Sequence, residues 1–118
     1  MASIFETAKL KFEVLASGNF RVETKDIEDY VNRNLSPRRP FRITCWNGGP
    51  QKIYEDEYYE LNPRLKRIVN DSLDSGVISF RHLRALVRKL IYEKRIPRGC
   101  YWVNESRVKD EKHIWIEY

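Results

Sequence analysis

Between positions 79 and 98 the chain carries seven Arg or Lys and one acid, Glu93, a local charge of +6 in a protein whose formal net charge is +5. The apolar residues of this window, Phe80, Leu83, Leu86, Val87, Leu90 and Ile91, recur at helical spacing. On a helix they fill one side, while Arg81, Arg84, Arg88, Tyr92 and Arg95 fall within a stripe of about 80° on the other. A chain containing this segment must build a core against one side of a long helix. The window predicts a helix over 79–95, capped by Ser79 and stopped by Pro97 and Gly99.

The remaining elements follow from shorter periods. Ala8, Leu10, Phe12 and Val14 alternate with polar residues, and Phe20 and Val22 resume the alternation after Ser17, Gly18 and Asn19, so 8–24 reads as a β-hairpin with one wet face. Asp26 stands where an N-cap belongs, and Ile27, Tyr30, Val31 and Leu35 mark a helix over 27–35 that Ser36 and Pro37 end. Phe41, Ile43 and Cys45 alternate as a strand up to Asn47, Gly48, Gly49 and Pro50. Positions 51–61 show no clean period. Asn62 with Pro63 starts a second helix, with Leu65, Ile68, Val69 and Leu73 as its apolar face and Gly76 as its end. Residues 100–103 and 113–118 read as strands joined by a charged loop.

With 118 residues the chain has room for one core, and a single α+β domain over 1–118 is expected. From position 26 onward the order is helix, strand, helix, turn, helix, strand, charged loop, strand. That order resembles the winged helix-turn-helix architecture, in which a second helix packs across a third and a terminal hairpin forms the wing. The resemblance implies a winged-helix-like region over 26–118 with an insertion at 47–61, preceded by the 8–24 hairpin. One antiparallel sheet holding all five strands, with the helices on one face, fits the same order.

The chemistry legible here is cationic. Guanidinium groups present rigid planar forks of donors, suited to phosphate oxygens and to guanine edges. Arg81, Arg84, Arg88 and Arg95 are the first candidates for nucleic-acid contact, with Lys89, Lys94 and Arg98 widening the footprint. Arg107, Lys109 and Lys112 lie in the hairpin loop where a wing meets the DNA backbone, and Arg38 and Arg39, flanked by prolines, form a stiff basic arm. No acid lies between Ser79 and Tyr92 to offer the pairs four apart that steady a purely structural surface helix, so the guanidinium row is expected to lack an internal counterion. The nearby acids Glu55, Asp56, Glu57 and Glu60 are the internal alternative. Arg64, Lys66 and Arg67 sit in the first turns of the second helix, where the dipole disfavours cations. Trp46, beside Asn47 and two glycines, and Tyr92 are candidate stacking rings, whereas Trp102 and Trp115 read as strand packing.

Other classes find little support. No apolar run approaches the roughly 18 residues of a membrane span, and Met1 to Thr7 lacks the features of a signal peptide, so an intracellular protein is expected. Cys45 and Cys100 form no CxxC unit, and His82 and His113 are the only histidines, so no metal site or cofactor is expected. An enzyme is not expected; a nuclease holding Mg²⁺ on Asp56, Glu57 and Glu60 is the sole catalytic alternative. The leading expectation is a small basic protein that binds duplex DNA, in preference to RNA, through the helix 79–95 and the terminal hairpin. The alternatives are a viral or phage-type inhibitor or adaptor meeting an acidic protein surface, and RNA or single-strand binding by aromatic stacking. Tyr118, closing an apolar strand, suits either a completed sheet or pairing with a second copy as a homodimer.

Overall fold

Strict alternation of apolar and polar residues builds the main sheet. In a computed structural model, which describes residues 3–7, 10–44, 59–106 and 113–117, strands β1 (Ser3–Thr7), β2 (Leu10–Val14), β3 (Phe20–Glu23), β6 (Cys100–Asn104) and β7 (His113–Glu117) lie in the order β1-β2-β3-β6-β7. The pairings β1·β2, β2·β3 and β6·β7 are antiparallel, and β3·β6 is parallel, so the sheet is mixed. The turn between β2 and β3 closes on backbone bonds from Leu15 N to Asn19 O and from Gly18 N to Leu15 O, both 2.9 Å. Strands β4 (Arg42–Thr44) and β5 (Val77–Ser79) form a separate parallel pair.

Three helices cover one side. Helix α1 (Thr24–Asn34) packs on β2 and β3, and α3 (Leu83–Tyr92) packs on β7 and on α2 (Pro63–Ser75). Asn62 caps α2 as expected, its Oδ1 accepting from the N–H groups of Arg64 at 2.9 Å and Leu65 at 3.4 Å, with Pro63 in the first turn. Gly76 ends it in the left-handed region, φ 78°. Leu10, Phe12, Val22, Tyr101, Val103, Ile114 and Ile116 from the sheet join Tyr30, Val31, Leu86 and Leu90 from the helices in one buried cluster. One core makes this a compact α+β unit, and no described helix is long and apolar enough to cross a membrane.

Several expectations are corrected. The hairpin expected over 8–24 extends backward, since β1 adds to the far side of β2, and its inner strand β3 pairs with β6. Helix α1 starts at Thr24, not after Asp26, which lies in its first turn where a carboxylate complements the dipole. The long basic helix is shorter than its periodicity suggests. A 3-10 turn, Phe80–His82, precedes α3, and Lys94 takes a positive φ of 58° after it, so Arg95 is off the helix. Ser79 bonds His82 Nδ1 at 2.9 Å and makes no cap bond to backbone. Most important, β4 does not join the terminal hairpin as a winged helix requires. It pairs with β5, the residues directly after α2, and the hairpin β6·β7 is taken by β3. The two parallel pairings also exclude the all-antiparallel sheet. Of the insertion 47–61, only positions 59–61 are among the described residues, as a turn.

Candidate nucleic-acid interface

The basic residues divide into three environments. Arg88, expected on the solvent stripe, is 6% exposed, and its Nη2 donates to the Glu117 carbonyl at 3.5 Å. The reason lies in α3 itself: Leu83, Ala85, Leu86, Val87, Leu90 and Ile91 are buried too, so this is the central helix of the core, and a stripe calculated for a one-sided surface helix passes through protein. Arg84 is half-buried in the same helix.

A second group is already neutralised. Glu93 accepts from Lys89 Nζ and from Arg95 Nε, the latter at 2.9 Å. Burial alone would raise the Glu93 carboxyl, but the hydrogen bonds from Lys89 and Arg95 outweigh it and hold the group below its ordinary range. Arg95 is pushed up chiefly by its bond to Glu93. The guanidinium row expected to lack an internal counterion therefore has one at Arg95, shared with the neighbouring Lys89. It is Glu93, the one acid inside the basic window; Glu55, Asp56 and Glu57 lie outside the described residues.

The third group gathers where α2 begins and the 3-10 turn passes it. Leu65, Arg81, His82, Arg84, Ala85 and Arg88 line a narrow crevice there. Neither the first turn of α2 nor that of α3 contains an acid. Arg64, Arg67 and Arg81 are exposed. His82 titrates below its ordinary value of 6.5, first because it is partly buried and then because Arg81 and Arg64 repel its protonated form. Cations from two elements thus converge on one corner, at helix N-termini that themselves favour negative charge.

At the other end of α3, about 15 Å away by its ten-residue length, lies a groove of about 600 Å³ lined by Glu60, Tyr92, Lys94, Arg95, Arg98 and neighbouring apolar residues. Tyr92 is 50% exposed, its ring centroid 6.1 Å from that of the buried Tyr59. Tyr92, Arg95 and Arg98, all singled out from sequence, therefore meet in one place. Arg38 and Arg39 are exposed in the connector before β4. Arg107, Lys109, Lys112 and Trp46 lie outside the described residues.

Sequence reasoning missed two features. His82 gave no signal as a lone histidine, because its role depends on Arg64 across the α2–α3 turn. Trp102 and Trp115 were assigned to packing, yet they occupy the sheet face away from the helices, stacked with centroids 5.5 Å apart and planes at 18°. The Arg21 guanidinium lies 5.4 Å from the Trp102 centroid. The register Arg21↔Trp102↔Trp115 could have been found only by knowing that β3 pairs with β6. Comparison with protein families, with curated proteins and with solved structures finds no match to this chain.

Proposed function

We propose that the protein binds nucleic acid by gripping its phosphate backbone at the corner between α2 and the 3-10 turn. The observation that carries this reading is the convergence of Arg64, Arg81 and His82 there, which favours an anion between two acid-free helix N-termini. The duplex reading, with α3 laid in a groove of a winged-helix complex, draws less support because α3 is core on nearly all sides. Backbone contact needs no inserted helix. The groove at the far end of α3 adds an exposed ring, Tyr92, beside Lys94 and Arg98, a combination suited to stacking an unpaired base while its phosphates are held. An unpaired strand of DNA or RNA is therefore the favoured ligand over a closed duplex.

The test is a salt series of anisotropy titrations with single-stranded DNA, RNA and duplex of equal length. Arg64→Ala and Arg81→Ala should each weaken single-strand binding, and each should reduce the salt slope by about 1. Tyr92→Ala should lower single-strand affinity with the slope unchanged. Affinity and slope unaffected by both arginine variants would remove the proposal. Binding that vanishes near physiological salt for every nucleic acid would favour an acidic protein partner instead.

A further inference from the structure

The two faces of the small parallel sheet β4·β5 differ. Ile43 and Ile78 are buried on one, and the other carries Arg42 beside Val77 and Thr44 beside Ser79, each pair in register. Two residues past Ser79 stands Arg81, an exposed member of the corner. We infer that this face is a track carrying a single strand of nucleic acid away from the corner, and that the connector at its far end is a second phosphate grip, formed by Arg33, Arg38, Arg39 and Arg42. The choice of nucleic acid rests on the function proposed above, whereas the grip stands on its own geometry.

Hydrogen bonds gather the four arginines from three segments. Asn32, near the end of α1, donates through Nδ2 to the Phe41 carbonyl at 3.2 Å and accepts from the Phe41 N–H at 2.8 Å. Arg33 and Arg42, the next residue in each segment, are thereby brought to neighbouring positions. The Arg38 N–H donates to the Leu73 carbonyl at 3.0 Å, which ties the connector to the C-terminal end of α2. Arg39 lies against Gly76, where an added Cβ would stand 2.9 Å from its own, and the Arg42 N–H donates to the Gly76 carbonyl at 2.8 Å. The arginines therefore surround the step from Gly76 to Val77, where the track begins.

Their charge is available. All four are exposed, as is Arg81, and none enters an ion pair among the described residues, nor do Asp71 and Asp74 in the last turns of α2 pair with them. Lys89 and Arg95, which Glu93 neutralises, behave differently. Four guanidinium groups within ten positions repel one another, and a chain of phosphates relieves that repulsion while each planar fork engages two oxygens. Between grip and corner the face offers the hydroxyl residues Thr44 and Ser79 and the 42% exposed Val77, with no acid on either strand. Val77 and Arg81 are four residues apart, so their Cα atoms are separated by at most about 14 Å. A few nucleotides of one strand span that distance.

Salt-series anisotropy of the full chain with a single-stranded DNA long enough to reach the connector tests this. Arg39→Gln combined with Arg42→Gln should weaken binding and lower the salt slope by about 1 to 2. Val77→Glu, midway between the grips, should also weaken binding, and Val77→Lys should tighten it and steepen the slope. The circular dichroism spectrum should be unchanged in every variant. Affinity and slope indifferent to the connector pair and to both Val77 variants overturn the inference; Arg64→Ala and Arg81→Ala, measured alongside, would then still weaken binding if the corner reading holds. Loss at Arg39 and Arg42 with none at Arg64 and Arg81 would keep the connector grip and remove the corner. Poly-glutamate that displaces the strand as well as unlabelled DNA of equal charge also overturns the inference, because an acidic protein would then be the occupant.

Discussion

The hydroxyl oxygens of Thr24 and Ser106, 82 positions apart, lie 2.7 Å from each other where β3 and β6 end side by side. The Ser106 N–H donates to Thr24 Oγ1 at 3.0 Å, the Lys25 N–H donates to Ser106 Oγ at 2.9 Å, and Thr24 Oγ1 reaches the buried Glu105 Oε1 at 3.2 Å. Glu23, the N-cap of α1, makes no side-chain cap bond, so the first turn of α1 is capped from the end of β6. Thr24→Val keeps the shape but strands the Ser106 N–H and one of the Glu105 contacts. It should lower unfolding free energy by about 1–3 kcal/mol in urea titrations. A variant as stable as the parent would show the network to be incidental.

Gly76 combines a left-handed φ with close neighbours. A Cβ there would stand 2.9 Å from both the Arg39 Cβ and the Pro40 carbonyl oxygen, and the backbone of the connector has little freedom to retreat because Arg42 N is bonded to Gly76 O at 2.8 Å. Gly18 has a similar φ of 87° and open space around it. Gly18→Ala should therefore cost only the left-handed strain, about 1–2 kcal/mol. Gly76→Ala should cost more than that, as a larger drop in melting temperature. Equal losses would mean that the connector yields.

The contrast between local and non-local information explains which parts of this fold were legible. Asn62-Pro63 and Gly76 bound α2 because capping is decided within a few residues, and the alternations of 10–14, 100–104 and 113–117 mark strands for the same reason. Which strands pair is not local. Nothing near Val22 says that its neighbour will be Val103, and nothing near Ile43 distinguishes Ile78 from a residue of the terminal hairpin. The basic stripe failed at Arg88 for a related cause. Periodicity gives the angle at which Arg88 leaves the helix, and only the packing of α3 among β7 and α2 decides that this direction is inside. Tyr92, Arg95 and Arg98 were found because the helix end and the segment after it are contiguous. The corner at Arg64, Arg81 and His82 needs two elements brought together.

Arg88 and Arg81 should consequently behave in opposite ways. Arg88→Ala removes a buried hydrogen-bonded guanidinium and leaves a void against β7, so the melting temperature should fall, by about 1–3 kcal/mol in stability. Arg81→Ala, at an exposed position, should leave stability within about 0.5 kcal/mol and act on binding. Thermal melts paired with anisotropy read both. The reverse assignment would place the phosphate contact on α3 after all.

His82 reports on the corner. Its neutral form is favoured in the folded chain, so the folded pKa lies below the ordinary 6.5. The corresponding stability is complete above about pH 6.5 and is lost as pH falls through that value towards the folded pKa, because the unfolded chain takes up the proton first. Arg64→Ala and Arg81→Ala should each raise the His82 pKa in an NMR titration. A phosphate seated at the corner should raise it as well, with proton uptake, so binding should tighten on acidification. A His82 titration that ignores added oligonucleotide would move the binding surface elsewhere.

Glu93 restrains the cationic surface, which makes its removal informative. Its carboxylate engages Lys89 and Arg95, and at neutral pH it stays charged because those bonds hold its pKa below the ordinary 4.5 against the effect of burial. The stabilisation this provides is present above about pH 4.5 and disappears as pH falls through the folded pKa. Glu93→Gln should cost no more than about 1 kcal/mol, since the cluster is partly solvated. It should also release two cations beside the Tyr92 groove. Affinity for single-stranded nucleic acid should then rise, and the salt slope should grow by up to about 2. A gain of affinity on deleting a charge from a folded protein is not expected of an ordinary solubility surface. If Glu93→Gln leaves both affinity and slope where they were, Lys89 and Arg95 serve only to anchor the end of α3, and the groove beside them holds no polyanion.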